Sequence, residues 1–220
     1  MTDMDMDLAR YNMIEQQIRP WDVLDPVVLE VIAETPRERF VPKPYVHMAF
    51  TDTQIPLDHD QCMLEPKMEG RILQSLQIKP TDEILEIGTG SGFLTACLAK
   101  LGKRVTSVDI FPDFTQQAQQ QVAGLELENI LFEVGDASQG WENGKQFDVI
   151  VVSASLPMMN TAFQQSLALN GRMFMVIGDT VLMEALLIQR IGNQQWSTES
   201  LFETNIPAML HADRPSAFVF

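Results

Sequence analysis

Leu85-Glu86-Ile87-Gly88-Thr89-Gly90-Ser91-Gly92 closes an apolar run that opens at Glu83, and helical spacing resumes at Phe93. A strand that ends in glycines and leads into a helix brings backbone N–H groups close to a ligand with no Cβ in the way. Seventeen residues after Gly92, at the end of the next expected strand, stands Asp109. A carboxylate there can accept hydrogen bonds from the two hydroxyls of a ribose. The dinucleotide fingerprint is GxGxxG, whereas the order here is GxGxG followed by Phe93, which weakens the pyrophosphate reading. S-adenosylmethionine carries an amino acid head and a sulfonium instead of phosphates, and Glu86, two positions before the first glycine, suits a cationic amino group. The expected cofactor is S-adenosylmethionine, held by Glu86, Gly88, Thr89, Gly90, Ser91 and Asp109, with Ile110 against the adenine face. Asp136 and Ala137, which follow Gly135 at the end of the third strand, would meet the adenine edge.

Around this unit, Glu83–Ile87, Arg104–Ile110, Asn129–Val134, Phe147–Ser153 and Arg172–Ile177 read as buried strands, with helices at 93–101, 112–125 and 158–168 between them. Alternation of this kind requires crossover connections, so the fold class is α/β with a mostly parallel, doubly wound sheet. Ala185–Ile191, the Gly192-Asn193 turn and Trp196–Phe202 read as an antiparallel hairpin, and Ala217–Phe220 as a terminal strand. This arrangement implies a class I methyltransferase, Rossmann-like core. Residues 1–8 read as a frayed acidic arm. Two helices joined at Pro20 follow, the second capped by Asp25 with Pro26 at its first position. Prolines 36, 42, 44 and 56 mark a loop-rich stretch, and Lys67–Leu76 returns to helix. The chain is thus expected to divide into 1–79, arm, helices and acceptor-side loop, and 80–220, the cofactor-binding core, within one compact unit.

Composition narrows the partners. The 220 residues are 45% apolar and 20% charged, as in an ordinary globular protein, and 15 basic against 30 acidic side chains give a net charge of −15. Such a surface repels a phosphate backbone, so nucleic acid is not expected. Cys62 and Cys97 lack the spacing of a metal or disulfide framework. Met1–Leu8 lacks the basic and apolar regions of a signal peptide, and the uncharged run Val149–Gly171 is too rich in polar residues to span a membrane. A cytoplasmic protein with no membrane partner is expected.

Pro36-Arg37 with Phe40-Val41-Pro42, Ala49-Phe50-Thr51-Asp52 before Ile55-Pro56-Leu57, Leu85 through Gly92, and Gly135-Asp136-Ala137-Ser138 with Gly140-Trp141 occur in that order. Over roughly residues 12–178 the chain resembles the protein-L-isoaspartate O-methyltransferases, whose members carry PREXFVP, an AYXD-like stretch, LEIGTGSG and GDGSXGW. The resemblance implies methyl transfer from S-adenosylmethionine to the α-carboxyl of an L-isoaspartyl residue in damaged protein. The resulting ester collapses to a succinimide, which reopens partly as normal aspartate. An ionised carboxylate attacks a sulfonium methyl directly, so no general base is needed, and His47, His59 and His211 read as surface or loop residues.

The chain departs from the family where members carry TISXP: here it reads Cys62-Met63-Leu64-Glu65-Pro66, so Leu64 stands in place of a serine near the acceptor carboxyl. Asp58 and Asp60 replace glycines upstream, and Asn205-Ile206-Pro207-Ala208 replaces an FVPL-type strand. Leu64, Asp58 and Asp60 are therefore the acceptor-side candidates. The partner is an isoaspartyl protein or peptide, with a different acceptor or a cofactor-holding role on the same scaffold as the alternatives.

Overall fold

The computed structural model describes residues 3–141, 144–178 and 182–214. Seven strands form the main sheet: β3 (Glu83–Ile87), β4 (Arg104–Asp109), β5 (Ile130–Val134), β6 (Phe147–Leu156), β7 (Leu167–Ile177), β8 (Met183–Gly192) and β9 (Gln195–Thr204). Their order across the sheet is β5-β4-β3-β6-β7-β8-β9. The first five are parallel and the last two antiparallel, so the expected core and hairpin are both present. Chain direction reverses sideways at β3, between β4 and β6, and this topological switch point is where open α/β sheets bind their ligands. The expected strand Ala217–Phe220 lies outside the described residues.

Period-two alternation splits the sheet into two apolar faces. Ile84, Val105, Val149 and Val151 join one core with residues of α2 (Pro26–Glu34), α3 (Pro66–Leu76) and α4 (Phe93–Leu101). Leu85, Ile87, Val108, Ile150 and Val152 join the other, covered by Phe163 of α6 (Thr161–Gln165) and by Trp141. Between α4 and α6, α5 (Pro112–Val122) contributes Val122 to the first face. That first core runs from Met13 to Ile206, so the N-terminal helices and the sheet share one interior. At the join, Arg172 of β7 donates to the carbonyls of Leu76 and Gln77 and to the Asp82 carboxylate.

Three elements differ from the sequence reading. The acidic arm is helical: α1 (Asp3–Met13) begins at Asp3, and Arg10 bridges Asp7 one turn back and Glu38 across the chain. Helical winding continues past Met13, through a π turn at Ile14–Ile18 and a 3-10 turn at Arg19–Trp21, to Asp22 in the left-handed region. Proline 20 lies in that final tight turn, and the Arg19 N–H reaches back five residues to the Ile14 carbonyl. The helix expected at 158–168 is only α6, capped by Asn160 on the Ala162 N–H, because Leu167 already pairs with Phe147 and opens β7. The Asp25 cap on α2 is as expected, its carboxylate accepting from the Val27 N–H.

Candidate active site

A cleft open at its mouth lies over the carboxyl ends of β3, β4 and β5. One wall is the glycine loop. Gly88 has φ +97°, and a Cβ there would collide with Ser153 Oγ, which donates to the Gly88 carbonyl at 2.8 Å. Gly90 has φ +50°, which favours glycine, and the nearest atom to an added Cβ would be Leu57 Cδ1, 3.6 Å away on the side of the neighbouring groove. The Gly90 N–H donates to Asp109 Oδ2 at 3.0 Å, and the Phe111 N–H donates to Oδ1 at 3.0 Å. Asp109 is thereby fixed at the cleft floor, with acceptor capacity left on the carboxylate. Burial raises its pKa, opposed by the backbone donors.

Ile110, Asp136 and Ala137 also line the cleft, with Val108 and Gly135. Asp136 accepts from the Ser138 N–H at 2.9 Å and meets His211 Nδ1 at 2.7 Å, and the histidine hydrogen bond lowers its pKa. The covering wall comes from outside the parallel sheet. Gln61 and Cys62 enter from a short hairpin, β1 (Ile55–Pro56) with β2 (Cys62–Met63), and Ala208, Met209 and Leu210 from the C-terminal segment. That segment is fixed to Ser155 by backbone bonds: its N–H donates to the Pro207 carbonyl, and its carbonyl accepts from the Met209 N–H.

Other expected site residues are placed differently. Glu86 shares the α4 face with Ile84 and is fully buried; Oε2 accepts from Thr95 Oγ1 at 2.5 Å and Ser107 Oγ at 2.6 Å, while Oε1 has no partner among the described residues. Burial pushes its pKa up to about 8. Thr89 is likewise buried, its hydroxyl 2.7 Å from Ser107 Oγ, so both residues support the loop from beneath. Ser91 and Asp58 border a neighbouring groove that meets the cleft at Gly90 and Phe114. Asp60 is exposed at the hairpin tip with φ +56°. Leu64 is only 6% exposed and packs in the first core, because an apolar side chain at this position turns inward. Its carbonyl faces the fully buried Arg37, whose guanidinium also bonds the Ala49 carbonyl and the Glu69 carboxylate and lies 4.8 Å over the Phe93 ring. Sequence reasoning missed Ser153, Gln61, Phe111 and the Met209 segment, whose placement depends on long-range packing with no local motif.

A glycine loop after the first core strand, a carboxylate closing the second, and a parallel sheet ending in an antiparallel hairpin define a class I methyltransferase fold. The sequence model of the Protein-L-isoaspartate(D-aspartate) O-methyltransferase (PCMT) family matches residues 9–208, and the chain belongs to that family. A protein-L-isoaspartate O-methyltransferase of Gloeobacter violaceus is 36% identical over 166 residues, 76% of this chain and 81% of that protein. One from Ectopseudomonas mendocina is 39% identical over 164 residues, 74% of this chain and 78% of its own. The fold is shared with a crystal structure assigned as this enzyme from Plasmodium falciparum, in complex with S-adenosyl-L-homocysteine. The TM-score is 0.76 at 18% identity, over 93% of this chain and 97% of that one.

Proposed function

We propose that the cleft binds S-adenosylmethionine and that the chain carries out its family's reaction, methylation of the carboxylate of L-isoaspartyl residues in proteins. The carrying observation is the Asp109 carboxylate, held by the Gly90 and Phe111 N–H groups at the switch point of the sheet. The cleft suits the cofactor: Gly88 and Gly90 line it without side chains, Asp109 can accept from ribose hydroxyls, and Val108, Ile110 and Ala137 give adenine an apolar seat. When bound, S-adenosylmethionine supplies an electrophilic methyl on a sulfonium.

The chain's residues position the reactants. Asp109 and the Gly88–Gly90 backbone fix the nucleoside, Asp136 borders the adenine end, and Gln61, Cys62 and Met209 wall the remaining opening, where the acceptor enters. Burial and the charges of Glu65 and Glu69 raise the Cys62 pKa to about 11, so at neutral pH it is a neutral thiol, donating to Gln54 Oε1 at 3.4 Å. An isoaspartyl carboxylate is already ionised at that pH, so holding it in line and partly desolvated supplies the rate without proton abstraction. Glu86 acts indirectly, through Ser107 and Thr95, on the shape of the loop. The exposed Asp58 and Asp60 oppose acidic flanks on the acceptor.

The test is transfer of labelled methyl from S-adenosylmethionine to an isoaspartyl peptide, with the aspartyl isomer as control. Label in the isoaspartyl peptide alone is expected. No label in that peptide, from protein that binds the cofactor, would refute the acceptor.

A further inference from the structure

His59 is at the tip of the β1–β2 hairpin, closed by the Leu57 N–H on the Gln61 carbonyl at 2.9 Å and the Gln61 N–H on the Asp58 carbonyl at 3.1 Å. Its φ is +58° and that of Asp60 is +56°, so two adjacent side-chain-bearing residues occupy the left-handed region. A two-residue hairpin loop calls for positive φ at both central positions, so the turn itself accounts for this conformation. The tip also packs against the cofactor side of the molecule. The imidazole stacks on the Phe111 ring with centroids 3.9 Å apart and planes 4° from parallel, and it meets the Phe114 ring edge-on at 5.5 Å. Its Nε2 lies 2.9 and 3.1 Å from the two carboxylate oxygens of Asp113, in the first turn of α5.

Each of these partners is tied to the cleft. Phe111 and Phe114 line it, and the Phe111 N–H donates to Asp109. On the hairpin side, Gln61 and Cys62, two and three residues after His59, form part of the covering wall. One imidazole therefore joins the covering wall to the segment that carries the ribose-binding carboxylate.

We propose that His59 is a positioning residue that latches the hairpin across the ribose end of the cleft, and that its detachment from Phe111 and Asp113 limits how fast S-adenosylhomocysteine leaves after methyl transfer. The latch holds Gln61 and Cys62 against the bound nucleoside, and the tip is free to swing away once the ring leaves its stack. This inference rests on the reading of the cleft as the cofactor site.

The experiment loads the protein with labelled S-adenosylhomocysteine and follows its loss during a chase with excess unlabelled ligand. H59G is the informative variant, because glycine accepts the left-handed conformation without strain and the tip turn survives while the ring is lost. Release from H59G is expected to be roughly tenfold faster, with association little changed, and release from H59F, which keeps the stack but not the Asp113 bond, intermediate. Release from H59G at the parent rate would overturn the latch. So would release rates in H59G and H59F that follow their melting temperatures in place of the stack. A parent that binds no S-adenosylhomocysteine would refute the cofactor site itself, whereas normal parent binding with unaltered release in H59G refutes the latch alone.

Discussion

The two walls of the cleft are built on different principles. The glycine-loop wall is held by backbone bonds at the ends of parallel strands: Gly88 N–H to the Val108 carbonyl at 2.8 Å, Gly135 N–H to the Asp109 carbonyl at 2.9 Å, and Gly90 N–H to Asp109. The covering wall is held by scattered attachments, namely Arg37 on the Leu64 carbonyl, His59 on Asp113, His211 on Asp136, and the short pairing of the 207–209 segment with Ser155. A wall inside a sheet ladder moves only with the sheet, while a wall on tethers can be released one tether at a time. The fixed wall therefore suits the invariant chemistry of a nucleoside, and the tethered wall suits admission of varied acceptors and discharge of product.

The largest test of this contrast is Arg37→Met. Losing the guanidinium strands the buried Glu69 carboxylate and frees the Ala49 and Leu64 carbonyls, so unfolding free energy in a urea titration should fall by about 3–5 kcal/mol. Leu64→Ser follows. A serine at a position 6% exposed within the core leaves a cavity and a buried hydroxyl, with an expected loss of about 2–4 kcal/mol by the same titration. A stability unchanged by both substitutions would mean that the covering wall is not built on these contacts. On the fixed wall, Asp109→Ala should weaken S-adenosylhomocysteine binding by about 1–3 kcal/mol in calorimetry, and it should also lower the melting temperature, because the Gly90 and Phe111 N–H groups lose their acceptor. Undiminished affinity would remove Asp109 from the cofactor site.

The last test concerns Glu86 and is read as a slope against pH. Its pKa in the fold, about 8, lies above the ordinary value of 4.5, because burial disfavours the charge. The folded state therefore holds a proton that the unfolded chain releases. The associated stability is fully present below pH 4.5 and is lost as pH rises through about 8. Glu86→Gln, which stays neutral, should be more stable than the parent at pH 8.5, with no such ionisation-dependent gain below pH 4.5. Parallel stability–pH curves for the two proteins would place the Glu86 charge in solvent or on a partner.

These regions also differ in how much of them the sequence discloses. The strand Glu83–Ile87 and the helix 93–101 are expected and observed over the same residues, since Ile84, Leu85 and Ile87 form a short apolar stretch and the glycines punctuate its end. Asp109 is legible from its place, as the acidic residue that closes the next strand. The direction of Glu86 follows from period-two alternation with Ile84, and chemistry alone points it to the wrong place. The covering wall is far less visible. Strands β1 and β2 are two residues each, too short to show a period, and the inward turn of Leu64 depends on Arg37, distant in sequence. Nothing local marks His59 as more than a loop residue, because its stack on Phe111 and bond to Asp113 join segments more than fifty residues apart.

Arg37 belongs to the segment Pro36-Arg37…Phe40-Val41-Pro42 by which the family is recognised, yet it is fully buried and bonded to Ala49, Leu64 and Glu69 rather than to the cleft. A lineage that abandoned methyl transfer would still need it to fold. Searches keyed to that segment therefore count inherited architecture, and divergence of activity among descendants has to be sought in the tethered wall, at positions such as Asp58, Asp60 and Cys62.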